Sequence, residues 1–294
     1  MDIRTLQHFL LLSETLHFGR ASSRANISTS ALSRNIRQLE TEVGTTLFDR
    51  DNRTVELTAE GQKFVRYARD AVQQWEQIRF DLTDPADQLA GEVSLYCSVT
   101  ASHSILVDLL NRFRPSHPGV EIMLQTGDPQ HAIEHVVALE EDLAIAARPA
   151  TLPAGVLFKP IQVSPLVFIA PVQATDVDLA QLPPENNAWD QVPMILAASG
   201  IARNRVDAWF RALGISPKIY AQVAGNEAIV SMVSLGLGVG VLPQIVLDNS
   251  PFAERVRVLD VTPELEPYDL GLVTMKRNLK NPLVNAFWSL VSDQ

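Results

Sequence analysis

Serine and arginine side chains recur at helical spacing near the amino terminus of the chain. Ser30, Ser33, Arg34 and Arg37 follow one another at steps of three, one and three residues, so on a helix they share one face. Arginine donates two parallel hydrogen bonds to guanine O6 and N7, and serine reaches base edges or phosphates. The spacing therefore predicts a helix that lies in a DNA major groove, although the solvated face of any small helical domain has a similar composition.

Arg53 and Thr54 form a second candidate contact to nucleic acid. They lie just past 51–52, a turn-forming Asp-Asn pair between two short strands predicted over residues 46–50 and 54–57. Such a hairpin would act as a wing, from which an arginine and a threonine reach a phosphate or the adjacent minor groove.

Hydroxyl and amide side chains and glycines also lie where predicted strands end in the later part of the chain. In open parallel sheets, ligands bind beyond the carboxyl ends of the strands, where helix N-termini present free N–H groups that suit a carboxylate. The predicted effector-binding residues are Ser98, Thr100, Ala101, Thr126, Gly127, Arg148, Ser199 and Asn226. Arg148 is the candidate counter-charge, with an ordinary surface arginine as the alternative. Asp128 would repel an anion unless it turns away or caps the following helix.

Motifs for enzymatic chemistry are weak by comparison. His131 and His135 are four residues apart, but they lack the His-Glu-x-x-His pattern and an obvious third metal ligand. The single cysteine, Cys97, lies in an apolar predicted strand, where cysteine usually behaves as a small buried hydrophobe. The glycines of residues 235–240 follow a helix and precede a strand, the reverse of a dinucleotide site, so tight helix-to-strand packing explains them better. We therefore expect no catalytic residues, no metal and no cofactor.

Three short helices and a hairpin are predicted to position the arginine-bearing face. In the third helix the apolar positions step by four, three and four residues and predict one buried stripe, which comprises Leu32, Ile36, Leu39 and Val43. Ser28 or Thr29 offers a hydroxyl for the N-cap, and Gly44 ends the helix. A short helix over residues 21–26 would brace this recognition helix.

A fourth helix, capped by Thr58 and running to about Leu82, has apolar residues at alternating steps of four and three. They are Phe64, Ala68, Ala71, Trp75, Ile78 and Leu82. This heptad pattern is typical of a helix that pairs with a partner helix, since a helix packing only on its own domain needs a wider apolar face. Polar residues 84–87 end the helix as a linker.

Strands alternate with helices from Gly91 onward. Strands are predicted over residues 93–99, 120–126, 143–147, 166–170, 194–197, 218–223 and 239–242, with helices over 101–113, 130–139, 201–213 and 227–235. The alternation predicts parallel sheets with right-handed crossovers.

Composition and charge limit the class of protein. The chain has 294 residues and a formal charge of minus 10, which argues at first against a nucleic-acid partner. That charge is unevenly divided, because residues 1–66 sum to plus 1 and residues 91–294 to minus 8. The start of the chain lacks a signal-peptide pattern, and no apolar run approaches the about 18 residues of a membrane span. We expect a soluble, cytoplasmic protein without a membrane partner.

The chain resembles the LysR-type transcriptional regulators in an ordered series of motifs: Ala31–Glu40, Val43–Gly44, Leu47–Arg50, Arg53–Thr54 and Leu57–Gly61. The resemblance implies an α-helical winged helix-turn-helix over residues 1–60 and a dimer-forming linker helix over 61–88. It further implies an α/β two-lobed effector domain of periplasmic-binding-protein type over 91–294, with lobe I over about 91–164 and 268–294 and lobe II over about 165–267. The family's DNA contacts would fall on Thr29, Ser30, Ser33, Arg34, Arg53 and Thr54.

Later segments, among them Cys97–Ala101, Thr126–Asp128 and Glu227–Val233, resemble a family member that activates acetohydroxy acid isomeroreductase expression in branched-chain amino acid synthesis. This resemblance implies a 2-hydroxy-3-keto carboxylate, acetolactate or acetohydroxybutyrate, as inducer, with a different small carboxylate as the alternative. It also implies a dyad operator in double-stranded DNA, a tetramer of two dimers and contact with RNA polymerase. A ligand-binding protein without DNA function would need an export signal and has no use for the heptad helix.

Overall fold

Capped helices build the first part of the chain in the computed structural model, which describes residues 1–50, 54–82, 89–173, 182 and 188–292. The chain divides into two compact units, Met1–Gln88 and Leu89–Gln294. The elements of the first unit are α1 (Ile3–Thr15), α2 (Phe18–Arg24), α3 (Thr29–Val43), β1 (Phe48–Arg50), β2 (Val55–Leu57) and α4 (Ala59–Leu82). Asp2 begins α1 by accepting a hydrogen bond from the backbone N–H of Thr5 at 2.7 Å.

The apolar stripe of α3 forms the centre of the first unit's core. Leu32, Ile36 and Leu39 are each 0% exposed and pack with Phe9 of α1, as the helical spacing predicts. The prediction for Val43 is wrong, because its side chain is 38% exposed. Val43 is the last residue of the helix, and Gly44, with φ at 80°, turns the chain there into the left-handed region.

The first turns of α4 pack against α1 of the same unit. Thr58 caps the helix as predicted, accepting from the backbone N–H of Gly61 at 2.9 Å. The rings of Phe64 and Phe9 lie 5.0 Å apart, and Ala68 is 0% exposed. The expectation that the whole heptad stripe faces a partner helix is therefore corrected at Ala68, which already contributes to the core of its own unit.

Strands and helices alternate in the second unit. Its strands are β3 (Ala90–Cys97), β4 (Gly119–Thr126), β5 (Leu143–Ala147), β6 (Val156–Ser164), β7 (Leu166–Pro171), β8 (Pro193–Ala197), β9 (Lys218–Val223), β10 (Val239–Pro243), β11 (Val256–Leu259) and β12 (Tyr268–Met275). Its helices are α5 (Val99–His103), α6 (Ile105–Phe113), α7 (Ala132–Val137), α8 (Gly200–Ala212), α9 (Glu227–Ser234), α10 (Gln244–Asp248) and α11 (Pro282–Trp288).

Two sheets divide the second unit into two lobes, which confirms the two-lobed α/β architecture. Within the described residues, the sheet of lobe I has the order β4-β3-β5-β12-β6 and that of lobe II the order β11-β7-β10-β8-β9. The prediction of parallel sheets is only partly correct, because β12 runs antiparallel to β5 and β6, and β7 antiparallel to β10 and β11. The sequence reading missed β6, β11 and β12. β12 joins the lobe I sheet after the chain has passed through lobe II, so no local crossover signals it.

Two predicted helices are interrupted. The helix predicted over 101–113 breaks at Ser104, whose hydroxyl donates to the carbonyl oxygen of Thr100 at 2.7 Å, a bond that competes with the helix backbone. The helix predicted over 130–139 begins as a 3₁₀ turn at Pro129–His131 and continues as α7.

Candidate nucleic-acid interface and ligand cleft

The polar face of α3 is presented to solvent opposite its buried stripe. Ser30, Arg34 and Arg37 are exposed, and Ser33 is half-buried beside them. Ser28, rather than Thr29, caps the helix, accepting from the backbone N–H of Ala31 at 3.2 Å. An exposed row of two arginines and two serines on a rigid helix has the chemistry and the geometry to read a major groove.

Hydroxyl contacts join α2 to α3 at the turn between them. Thr29 Oγ1 lies 3.0 Å from the hydroxyl of Ser22, which is 4% exposed. Ser30 Oγ lies 3.1 Å from Ser28 Oγ. Thr29 therefore has a structural contact in addition to its predicted role toward DNA.

The carboxylate of Glu40 organises the entry to the hairpin. It accepts from the backbone N–H groups of Leu47 at 3.0 Å and Phe48 at 3.1 Å, and it pairs with Arg50. Sequence reasoning missed this role, since nothing local to an acid on α3 shows that the chain returns to it. Arg53 lies outside the described residues, and Thr54, directly before β2, is exposed.

The outer part of the α4 stripe remains on the surface of the first unit. Trp75 and Ile78 are each 46% exposed, while Phe64 and Ala71 are partly buried against the core. The side chain of Leu82 lies outside the described part of the helix. Trp75 and Ile78, three residues apart, thus offer an apolar surface that their own unit does not cover.

A cavity of about 150 Å³ lies between the two lobes of the second unit. Ser199 and Asn226, two of the predicted effector-binding residues, line it from lobe II. They precede α8 and α9, and neither side chain caps its own helix. The Ser199 hydroxyl instead donates to Gln130 of lobe I. The beginnings of two helices therefore face a cavity that both lobes enclose.

Thr100 does not line this cavity but contacts a carboxylate of the protein itself. Its backbone N–H and hydroxyl donate to Glu227 Oε1 at 3.0 and 2.6 Å. Ser98 is the N-cap of α5, accepting from the backbone N–H of Ala101 at 3.2 Å. In this structure Glu227 accepts both Thr100 hydrogen bonds, so a ligand carboxylate would reach these donors only after Glu227 had moved away.

The lobe I residues predicted at the next strand ends have other partners. A Cβ at Gly127 would lie within 3.0 Å of the Tyr96 hydroxyl, so the close approach that requires glycine there is to Tyr96. Thr126 is exposed at the end of β4. Arg148 is exposed and its guanidinium lies 5.5 Å from the centre of the Phe158 ring. Thr126, Gly127 and Arg148 are outside the cavity lining, so the surface alternative for Arg148 fits the structure.

The cavity has an acidic rather than a basic wall. Asp128 lines it and carries the only formal charge among the lining residues, all of which are described. Its carboxylate accepts from the backbone N–H of Gln130 at 3.0 Å, so it caps the following turn. The Tyr268 hydroxyl accepts from the backbone N–H of Ala202 at 3.0 Å, and burial raises the pKa of Tyr268. A bound anion would thus depend on backbone N–H groups, hydroxyls and amides.

The residues considered for enzymatic chemistry in the sequence are buried, paired with carboxylates or packed against a helix. Cys97 is 0% exposed, and burial raises the pKa of its thiol to about 12, which keeps it protonated and unreactive. His135 does not pair with His131; its Nδ1 lies 3.0 Å from Glu140 and 2.8 Å from Glu141. Gly240, in the glycine-rich segment, faces α9, as the packing interpretation predicts.

An exposed arginine-bearing helix in one unit and a cleft between two lobes in the other are the arrangement expected of a DNA-binding regulator with a ligand-binding domain. Two family profiles match the chain, "Bacterial regulatory helix-turn-helix protein, lysR family" over residues 3–62 and "LysR substrate binding domain" over residues 86–294. The chain belongs to the LysR family of transcriptional regulators.

Similar proteins cover the chain almost completely. It is 45% identical over 293 residues to the "HTH-type transcriptional activator IlvY" of Haemophilus influenzae, covering 99% of this chain and all of that one. It is also 45% identical over 294 residues to the regulator IlvY of Escherichia coli K12, covering 99% of both chains. A full-length OxyR from Pseudomonas aeruginosa has the same fold, with a TM-score of 0.75 at 23% identity over 99% of this chain and 94% of that one. In the described part of the chain, no helix combines the length and apolar character that a membrane crossing requires.

Proposed function

We propose that this protein activates a gene of branched-chain amino acid biosynthesis, that for acetohydroxy acid isomeroreductase, in response to acetolactate or acetohydroxybutyrate. The observation that carries the proposal is the 45% identity, over 99% of the chain, to regulators named IlvY, among which that of Haemophilus influenzae is described as an activator. The geometry of the cleft is a second observation in favour of a small carboxylate ligand. Two helices begin at it, at Ser199 and Asn226, and helix starts bind anions without a basic side chain.

The proposed mechanism couples the cleft to the DNA. Two chains pair through the α4 surface of Trp75 and Ile78 and place two α3 helices in successive major grooves of a dyad operator. Two such dimers form a tetramer, and the effector shifts how its dimers are spaced, which opens the promoter to RNA polymerase in the cytoplasm. This shift requires the effector to bind one arrangement of the lobes better than the other.

Operator binding and transcription measured together test the proposal. We expect the chain to shift DNA from upstream of the isomeroreductase gene, with affinity falling steeply as salt rises. Acetolactate should raise transcription from that promoter in a purified system, while unrelated hydroxy and keto acids should not.

Arg34→Ala tests the assigned DNA face. Loss of one bidentate arginine contact costs about 1–3 kcal/mol, or roughly 5- to 150-fold in operator affinity. Arg211→Ala, which removes an exposed arginine from α8 of the second unit, is the matched control and should bind like the parent chain. If the chain shifts no DNA, the regulatory proposal is contradicted. If acetolactate does not change transcription from the promoter, the inducer assignment is contradicted.

A further inference from the structure

One contact between the lobes has the chemistry of a bound ligand. Thr100, in α5 of lobe I, is 6% exposed, and Glu227 is the first residue of α9 in lobe II. The backbone N–H and the hydroxyl of Thr100 converge on a single oxygen, Glu227 Oε1, at 3.0 and 2.6 Å. Hydrogen bonds to a charged carboxylate are about twice as strong as neutral ones. The contact is thus a strong one, and it joins two segments that are 127 residues apart in the chain.

Both donors of Thr100 are used by this contact. A threonine has one backbone N–H and one hydroxyl proton, and Glu227 accepts both. A second carboxylate cannot bind the same two protons while Glu227 holds them. The neighbouring residue Asn226 lines the cavity, so the contact lies at the cavity's edge.

We propose that Glu227 is an internal competitor for the effector, and that an effector carboxylate binds Thr100 by displacing the Glu227 side chain. This inference rests on the proposed function, in which a small carboxylate enters the cleft. In the absence of effector, the Glu227 carboxylate holds the lobes together through Thr100. A ligand without a carboxylate offers Thr100 only neutral acceptors, whose hydrogen bonds are about half as strong. Glu227 therefore also favours anionic ligands, in a cleft without a basic lining residue.

Calorimetry on the full-length chain tests the competition, with acetolactate and its uncharged methyl ester as probes. Glu227→Ala should bind acetolactate about tenfold or more tightly than the parent chain, because no internal hydrogen bonds must be broken first. The affinity for the methyl ester should rise clearly less, because its neutral carbonyl oxygen is a weaker acceptor than a carboxylate. Asp128→Asn is the matched control, since it removes one negative charge from the cleft without releasing Thr100, and its gain should be clearly smaller.

A ligand-free measurement keeps the two proposals separable. Amide hydrogen exchange at Thr100 should be about tenfold or more faster in Glu227→Ala than in the parent chain, because its N–H loses its acceptor. Unchanged exchange at Thr100 would overturn the proposed Glu227–Thr100 contact, whether or not a carboxylate binds. A failure of acetolactate to bind would by itself contradict the inducer assignment and not this contact. Unchanged or weaker acetolactate binding by Glu227→Ala, or an equal gain in Asp128→Asn, overturns the competition.

Discussion

Adding one methyl group at position 240 should destabilise lobe II sharply. Gly240 lies in β10, and a Cβ there would come within 3.0 Å of Ile229 Cγ2 and 2.9 Å from Val233 Cγ2. Both side chains belong to α9 and are 0% exposed, so neither can swing out into solvent. Gly240→Ala must therefore push α9 away from the sheet.

The geometry sets the size of the effect. Carbon atoms in contact prefer separations of about 3.5–4.0 Å, so α9 must shift by roughly 0.6 Å or more at Val233. Overpacking of this kind costs about 1–3 kcal/mol, and we expect the upper half of that range because two methyl groups are contacted at once. Urea unfolding of the full-length chain measures the loss. Two of the four tryptophans, Trp189 and Trp209, lie in the core on the lobe II sheet, so part of the tryptophan fluorescence reports on this lobe.

A double-mutant cycle separates overpacking from other effects of the substitution. Ile229→Ala alone should cost about 2–5 kcal/mol through the cavity it leaves. In that background Gly240→Ala should cost at least about 1 kcal/mol less than in the parent chain, because one of the two opposing methyl groups is gone. Gly119→Ala on the edge strand β4, where a Cβ meets nothing closer than 3.3 Å, is the matched control and should be near neutral. A neutral Gly240→Ala, or equal losses in both backgrounds, would refute the reasoning.

One further substitution tests the exposed α4 surface, and one labelling reagent tests the buried thiol. Trp75 is 46% exposed, which for about 250 Å² of side chain leaves about 115 Å² and up to about 3 kcal/mol for a partner helix to bury. Trp75→Ala should therefore weaken self-association in sedimentation velocity at least tenfold without unfolding the first unit, and an unchanged dimer would exclude this surface. Cys97, with a thiol pKa of about 12, is only about one part in ten thousand thiolate at pH 8. Mass spectrometry should find it unlabelled by iodoacetamide in the native chain and labelled in urea, whereas rapid native labelling would show that lobe I opens there.

Local patterns predict the elements of this fold more successfully than their arrangement. The spacing of Leu32, Ile36 and Leu39 and the stop at Gly44 identify α3, because a helix repeats every 3.6 residues wherever it packs. A similar periodicity identifies α4, which runs from Ala59, after its cap Thr58, to Leu82. It does not show which part of the α4 stripe the chain's own α1 covers, since a heptad pattern records apolar residues and not their partners.

The amino-acid sequence by itself determined most helices, most strands, the uneven charge and the family motifs, because each depends on residues that are close together in the chain. Only the tertiary structure decided that β12 pairs antiparallel with both β5 and β6, and that Gln130 and Tyr268 line the cleft. It also decided that Glu227 binds Thr100, 127 residues away. Such contacts form between segments that are distant in the chain, and the spacing of residues within one segment does not indicate which other segment it will contact.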